Sequence, residues 1–405
     1  MKLFRGGICA LVAFGIAAHG AVESWSAAVI EVGAAVLLVV WATRSVLERE
    51  ENLDFPALLP PLLGFAGACL VQLLFHRTLY AYATRKELQL LAAYLILVFL
   101  AGQVFRTMPH WRGFVWFAMT LGFVTAVFGI LQHLTFNGKL YWFREMRYGG
   151  IPFGPYVNRN HFAGLMGLLI PVGLAPLLAG KVRRERWLLI GLFSVLPIGA
   201  LFLTASRGGI VSFLVEVIFL GLLVAFQRSG RKPVLLGGAV LVAAVLLVSW
   251  LGVEQAMQRF SSMQPLEVTS SKRNAMVLDS WHIFQDYPLM GSGLGTLQSV
   301  FPRYDTMYDA KIVNHAHNDY VEALAETGIL GGLFCLWFLW VLLSTGMRRL
   351  LWPENAAAAL QTGGFIGCIG FLVHSVVDFN LHIPANALLF FLLAYLATSE
   401  FQRRP

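Results

Sequence analysis

Apolar residues in this chain come in long blocks, separated by short polar stretches, and neither a two-residue nor a simple amphipathic period dominates. A helix needs roughly 17–25 apolar residues to cross a hydrocarbon core. Twelve blocks meet that need, at about 6–23, 26–43, 56–75, 87–106, 113–134, 161–180, 187–205, 209–227, 233–252, 320–344, 357–378 and 383–399. The third carries Pro56, Pro60 and Pro61 and is the least regular. The first follows Lys2 and Arg5 and precedes Ala18-His19-Gly20-Ala21, the outline of a cleavable signal peptide. An even number of spans instead requires it as a membrane helix. Two connecting segments, about 135–160 and 253–319, exceed the usual loop length and should carry structure or function of their own. Within the larger one Ser270–Asp286 reads as a helix, stopped by Tyr287-Pro288. The expected fold is all-α: a polytopic membrane protein, one integral domain over 1–405, with about 12 transmembrane helices and a large, partly helical loop at 253–319.

Composition strengthens this reading. Hydrophobic residues make up 58% of the 405, charged residues only 13%, and the mean hydropathy is +0.69. A soluble domain carries about 25% charge to face water. A soluble enzyme, a disordered chain and a disulfide-stapled module are therefore excluded. Cys9, Cys69, Cys335 and Cys368 lie in or beside apolar runs with no paired spacing, which argues against thiol chemistry and structural zinc. The net charge of +8 does not point to nucleic acid, because the basic residues fall between apolar runs. They set topology instead. With the N-terminus inside, 17 of the 30 Lys and Arg fall in the short inner segments, including 181–186, 228–232, 347–349 and 402–404. Both termini are then cytoplasmic, and 135–160 and 253–319 are on the outer side.

The unusual polar residues collect on that outer side, at span ends or in the large loop. Thr204-Ala205-Ser206-Arg207-Gly208-Gly209 joins a capping hydroxyl, an arginine fork and two glycines at a helix start, which suits a phosphate. An interfacial arginine reaching for water gives the same pattern. His315-Ala316-His317-Asn318-Asp319 leads into a span, and Asp319 and Glu322 have capping-box spacing. His317 would stand just before a positive helix end, where a neutral imidazole can serve as a general base. A structural histidine pair, or a metal held by His315 and His317 with Asp319 or Asp305, fits the same spacing. Gly291-Ser292-Gly293-Leu294-Gly295 is a turn, since it lacks the spacing and the preceding strand of a dinucleotide loop. Glu31, Glu216 and His374 lie within spans and should face the bundle interior. A proton path through them would make the chain a transporter of lipid-linked sugars.

His317-Asn318, nine residues, Gly328, two residues and Gly331 together resemble the signature of bacterial O-antigen ligases. The same order continues elsewhere: Asn158-Arg159-Asn160-His161 opens a span, Ser206-Arg207-Gly208 opens another, and Arg273, Trp281, Pro288 and the Gly291–Gly295 turn lie in the large loop. Asp378-Phe379-Asn380 and Ile383-Pro384-Ala385-Asn386 follow near the end. This resemblance implies a GT-C type membrane glycosyltransferase of the O-antigen ligase/polymerase superfamily. It would transfer a glycan from undecaprenyl diphosphate to an acceptor sugar such as lipid A-core, with inversion and without a metal or other cofactor. Its setting would be the inner membrane, with the site facing the periplasm. By position, His317 would be the base, and Arg207 and Arg273 would hold the diphosphate. Asn158, Asn160, Asn318, His315 and Asp378 would complete the substrate site, although His315 has no role in the motif. Polymerases that use a lipid-linked glycan as acceptor share these motifs.

The charge map yields one direct test. In a background without native cysteines, single cysteines at Ser229 and Ser271 should respond oppositely to an impermeant thiol reagent applied to spheroplasts. Equal labelling of the two would overturn the topology.

Overall fold

A computed structural model describes residues 1–49, 52–146, 150–226, 231–251, 269–352 and 357–401. Residues 253–268 of the expected outer loop, and Arg228, Arg403 and Arg404 of the expected inner clusters, lie outside them.

Every apolar block contains a helix. In chain order these are α1 (Lys2–Ala17), α2 (Ser24–Leu47), α3 (Leu59–Leu74), α4 (Ala81–Val104), α5 (Met108–Leu134), α6 (Arg159–Leu178), α7 (Trp187–Leu203), α8 (Arg207–Phe226) and α9 (Arg231–Leu251). The outer loop supplies α10 (Ser270–Asp286) and the short α11 (Leu297–Val300), and α12 (Asp319–Leu351), α13 (Ala358–His374) and α14 (Pro384–Thr398) complete the chain. No strand is present among the described residues. Among the described residues, seven helices are long and apolar enough to cross a membrane, and α3, α9, α13 and α14 contribute shorter apolar helices. The protein is an all-α, multi-pass membrane protein.

Local chemistry explains several boundaries. Pro60 and Pro61 fall in the first turn of α3, where a missing N–H costs no helical bond, so the irregular block still forms a helix. The first block yields a helix shifted towards the N-terminus, since the chain turns at Gly20, with φ +81°, before α2 begins. Helix α1 packs on α2, α4 and α14 and is part of the bundle.

The centre of the bundle is α6, whose apolar residues are buried all round, flanked by α7, α8 and α13. A helix apolar on every face belongs inside. Its neighbours α13 and α14 are almost as completely buried, whereas α2 and α12 turn Val32, Val36, Val39, Leu333 and Trp340 outward. One apolar core links residues of α1 through α9 and α12 through α14. A second, smaller cluster (Met276, Ile283, Leu297, Val300, Phe301, Val313, Ala316 and Ala325) fastens α10 and α11 onto the start of α12.

Helix α12 is broken at Gly328, with φ +62° and ψ −164°. The break frees carbonyls of the preceding turn, and the Gly291–Gly295 turn takes them up. Ser292 N–H donates to Ala325 O (2.9 Å) and Gly293 N–H to Glu326 O (2.9 Å). Beyond the break, Ile329 N–H donates to Pro288 O (2.8 Å) and Leu330 N–H to Leu289 O (3.1 Å). The Glu326 carboxylate accepts from Gly295 N–H (2.7 Å) and Leu297 N–H (2.8 Å), and Gln72 of α3 donates to Glu326 O (2.8 Å). The turn expected from the glycine-rich stretch is therefore the splint of a helix break. Only glycine fits at 328, because a Cβ there would lie 2.5 Å from Leu289 C and 2.6 Å from Gly291 N.

Gly328→Ala should therefore lower stability by about 1–3 kcal/mol from backbone strain alone, and more once Leu289 must move. Gly67→Ala, in α3 with open space around its Cβ, should be neutral or mildly stabilising. Thermal unfolding of both variants in detergent checks this, and equal effects would remove glycine's special role at 328.

Candidate active site

The helix-opening signal at 318–322 folds differently from the expected capping box. Asn318 is the cap: its side-chain oxygen accepts from Tyr320 N–H (3.0 Å) and Val321 N–H (3.1 Å). Its amide nitrogen donates to Val376 O (2.9 Å), so both ends of the side chain are spent on the fold. Asp319 and Glu322 are thereby free to act elsewhere. Asp319 N–H donates to Ser375 O (2.9 Å), which ties the start of α12 to the end of α13. Immediately before the cap, His317 has φ +53°, a left-handed conformation that a non-glycine residue holds only under the constraint of its surroundings.

Asp378, fully buried just beyond α13, is the centre of the site. His317 Nδ1 lies 3.5 Å from its Oδ1, His161 Nε2 lies 3.7 Å from the same oxygen, and His374 Nε2 lies 4.0 Å from Oδ2. These separations exceed a hydrogen bond. The three imidazoles surround the carboxylate without closing on it, and its Oδ2 has no hydrogen-bond partner. Phe379 N–H does donate to Oδ1 (2.9 Å). Burial alone would raise the carboxyl pKa, but His161 and His317 hold it well below the usual range, so Asp378 is an anion at neutral pH. With Nδ1 turned to Asp378, the Nε2 of His317 is the nitrogen left for a substrate.

The arginines approach from two other elements. Arg207 is exposed at the first position of α8 and makes no side-chain bond to the other described residues. Ser206 caps that helix, accepting from Gly209 N–H at 3.2 Å. The next residue, Gly208, is packed so closely on His374 that a Cβ would lie 2.8 Å from its ring. Arg273 of α10 is half-buried, its Nε without a partner, and its charge reaches His374. Asn158 caps α6 by accepting from Asn160 N–H (2.9 Å), and Asn160 is buried beside it. Asn158, like Asn318, shapes the backbone that carries a histidine.

His315, unexplained by the motif, belongs to a neighbouring cluster. Its Nδ1 is 2.8 Å from Glu322 Oε1, and its ring stacks on Phe379 at 4.4 Å. His382 Nε2 is 3.3 Å from the same Glu322 oxygen, and His382 Nδ1 is 2.9 Å from Asp319 Oδ1. The metal set considered from sequence, His315 and His317 with Asp319 or Asp305, is not assembled. His317 faces Asp378, and Asp305 accepts from Met307 N–H in its own turn. Among the described residues, the three groups whose ligand atoms do converge are His315, Glu322 and His382.

Of the intramembrane residues, Glu216 and His374 face the interior as expected, whereas Glu31 is only half-buried. Glu216 sits between Gly167 and Gly370 with neither carboxylate oxygen bonded.

Residues 192–336, covering α8, α10 and the whole histidine motif, match a family model described as O-Antigen ligase. Over these residues the chain is similar to the O-antigen ligase family. The family supports glycosyltransferase activity of the ligase or polymerase type. No curated protein matches the chain. His161 and His374 around Asp378, and Glu322 and His382 of the neighbouring cluster, are the residues that sequence reasoning did not place. His374 showed only as a costly intramembrane residue and His161 only as part of an Asn-rich run. Glu322 showed as a capping residue. His382 gave no signal, since 63 positions separate it from Asp319.

The depressed pKa of Asp378 has a thermodynamic consequence. An ionised Asp378 stabilises the fold above the unfolded-state value near about 3.9, and that contribution is lost as pH falls towards the folded value. The stability gap between wild type and Asp378→Asn should therefore be wide at pH 7 and begin to narrow as pH falls below about 3.9. A gap independent of pH in thermal unfolding would show that the charge of Asp378 is not what the fold uses.

Proposed function

We propose that the protein transfers a glycan from undecaprenyl diphosphate to an acceptor sugar, lipid A-core, on the periplasmic face of the inner membrane, as an O-antigen ligase. The observation that carries this reading is His317 beside a buried, ionised Asp378, with Arg207 one residue before the Gly208 that packs on the adjoining His374 and Arg273 near enough for its charge to act on that ring. A buried carboxylate behind an imidazole fixes its orientation and stabilises the imidazolium that forms when the outer nitrogen takes a proton. His317 Nε2 would accept the proton of the acceptor hydroxyl as that oxygen attacks the anomeric carbon. The bond from that carbon to the diphosphate oxygen breaks on the opposite face, so configuration inverts.

The diphosphate leaves with growing negative charge. Two guanidiniums, one exposed at a helix start and one with an unspent Nε, suit that task, since each offers paired donors and a permanent charge. The arginines supply the positive charge at the reacting atoms, so the step itself needs no metal. Histidine and arginines divide the work by position, one on the acceptor and two on the donor. Use of a lipid-linked glycan as acceptor, which would make the protein a polymerase, changes only what lies against His317 Nε2. Glycan analysis in a deletion strain separates the two: ligase loss leaves long chains on the carrier lipid, polymerase loss leaves single repeat units.

Purified variants test the division of labour. Arg207→Ala or Arg273→Ala should weaken donor binding and cost about 2–4 kcal/mol in the transition state, roughly 30- to 1000-fold in transfer. Arg207→Lys should retain part of it. His317→Ala should bind donor lipid nearly normally and lose about 100- to 10,000-fold in single-turnover transfer. Normal donor binding by both arginine variants, with its loss in His317→Ala, would reverse the assignment.

A further inference from the structure

We infer that His315, Glu322 and His382 form a binding site for one divalent transition-metal ion of the zinc type, separate from the transfer chemistry. The inference rests on the geometry of this cluster and does not depend on the reaction proposed above. His315 Nδ1, Glu322 Oε1 and His382 Nε2 lie within 4.8 Å of one another, with His315 and His382 at 2.8 and 3.3 Å from the shared oxygen. Around a tetrahedral zinc with bonds of roughly 2.0–2.1 Å, neighbouring ligand atoms stand about 3.3 Å apart. Two imidazoles and one carboxylate are the donor set such an ion prefers, whereas calcium and magnesium demand more oxygens.

The outer contacts are those of a ligand set. The nitrogen of His382 turned away from the cluster meets Asp319 Oδ1 at 2.9 Å, which fixes the tautomer that presents Nε2 as a lone pair. The other Asp319 oxygen accepts from Leu381 N–H (3.1 Å), and the other Glu322 oxygen accepts from Ala316 N–H (2.8 Å). The His315 ring is held by its stack on Phe379, with the planes 24° apart. Each candidate ligand is thus oriented through an atom or a face that a metal would not use. Glu322 is 1% exposed, while the side chains of His315 and His382 are 28% and 23% exposed. The partly exposed rings leave an ion a path in and water a fourth position beside the buried carboxylate.

Phe379 separates this cluster from the reacting side, with His315 on its face and His161 and His317 at its edge. An ion here would pin the Asn380–His382 turn to the start of α12, next to Asp378, without touching a group that takes part in transfer. A proton is the rival occupant: an imidazolium at His382 would donate to Asp319 and Glu322 at once.

The test is metal binding by the full-length protein in detergent, stripped with a chelator and titrated with Co2+ at neutral pH, followed by displacement with Zn2+. One Co2+ per chain, with the visible absorption of a low-coordinate imidazole–carboxylate site and full displacement by Zn2+, is the expected result. Glu322→Gln and His382→Ala should lower affinity at least about 100-fold, and Asp319→Asn by about 10- to 100-fold. Asp378→Asn and His317→Ala should bind the ion as wild type does. The wild-type titration stands whether or not a variant folds. No stoichiometric binding, which leaves a protonated network only, overturns the inference, as does binding that survives both ligand substitutions.

Discussion

A membrane-embedded chain must satisfy every backbone N–H and C=O within itself, and the architecture of this protein turns on one place where a helix stops doing so. Helix α12 breaks at Gly328, and the 288–297 segment supplies the donors and acceptors that the helix gives up. The Glu326 carboxylate and Gln72 complete the exchange. This junction fastens the outer loop to the bundle and fixes where the start of α12 stands. The placement of His317 follows from it.

Charge is handled by concentration. Arg207, Arg273, the histidines and their carboxylates gather at one end of the bundle, around the starts of α6, α8, α12 and α14 and the end of α13. Burial works against an ionised Asp378, and the rings of His161 and His317 beside it offset that cost. Those rings stop short of hydrogen-bond distance, so His161 Nε2, His317 Nδ1 and Asp378 Oδ2 all keep unspent bonding capacity. Close packing by small residues brings the pieces together. Gly208 lets α8 lie against His374, and Gly164 lets α6 lie against Asn380. Asn386 locks the result by donating to His161 O and Asn380 Oδ1 and accepting from Tyr156.

Capping residues show how one residue type serves two purposes. Asn158 and Asn318 stand in motifs that invite a substrate-binding role, and both spend their side-chain oxygens on helix N-termini. Each holds a histidine of the site at a fixed distance along the chain, His161 three residues after one cap and His317 one residue before the other. Asp319 and Glu322, released from capping by Asn318, become partners of His382 and His315.

The helices at the twelve apolar blocks were legible in the chain because the signal for each is local: a run of apolar residues ended by prolines, glycines or charge. His317, Arg207 and Asp378 were legible for a related reason, since each lies in a short motif whose spacing survives without the fold. Partnership is a different kind of information. That Asp378 meets His161 and His317, that His382 meets Glu322, and that the Gly291–Gly295 turn splints a helix break are contacts between residues tens or hundreds of positions apart. No period or spacing encodes them. They are decided when helices with small residues at their crossings pack closely enough to bring separate polar atoms within a few ångströms, and only the tertiary structure holds that distance.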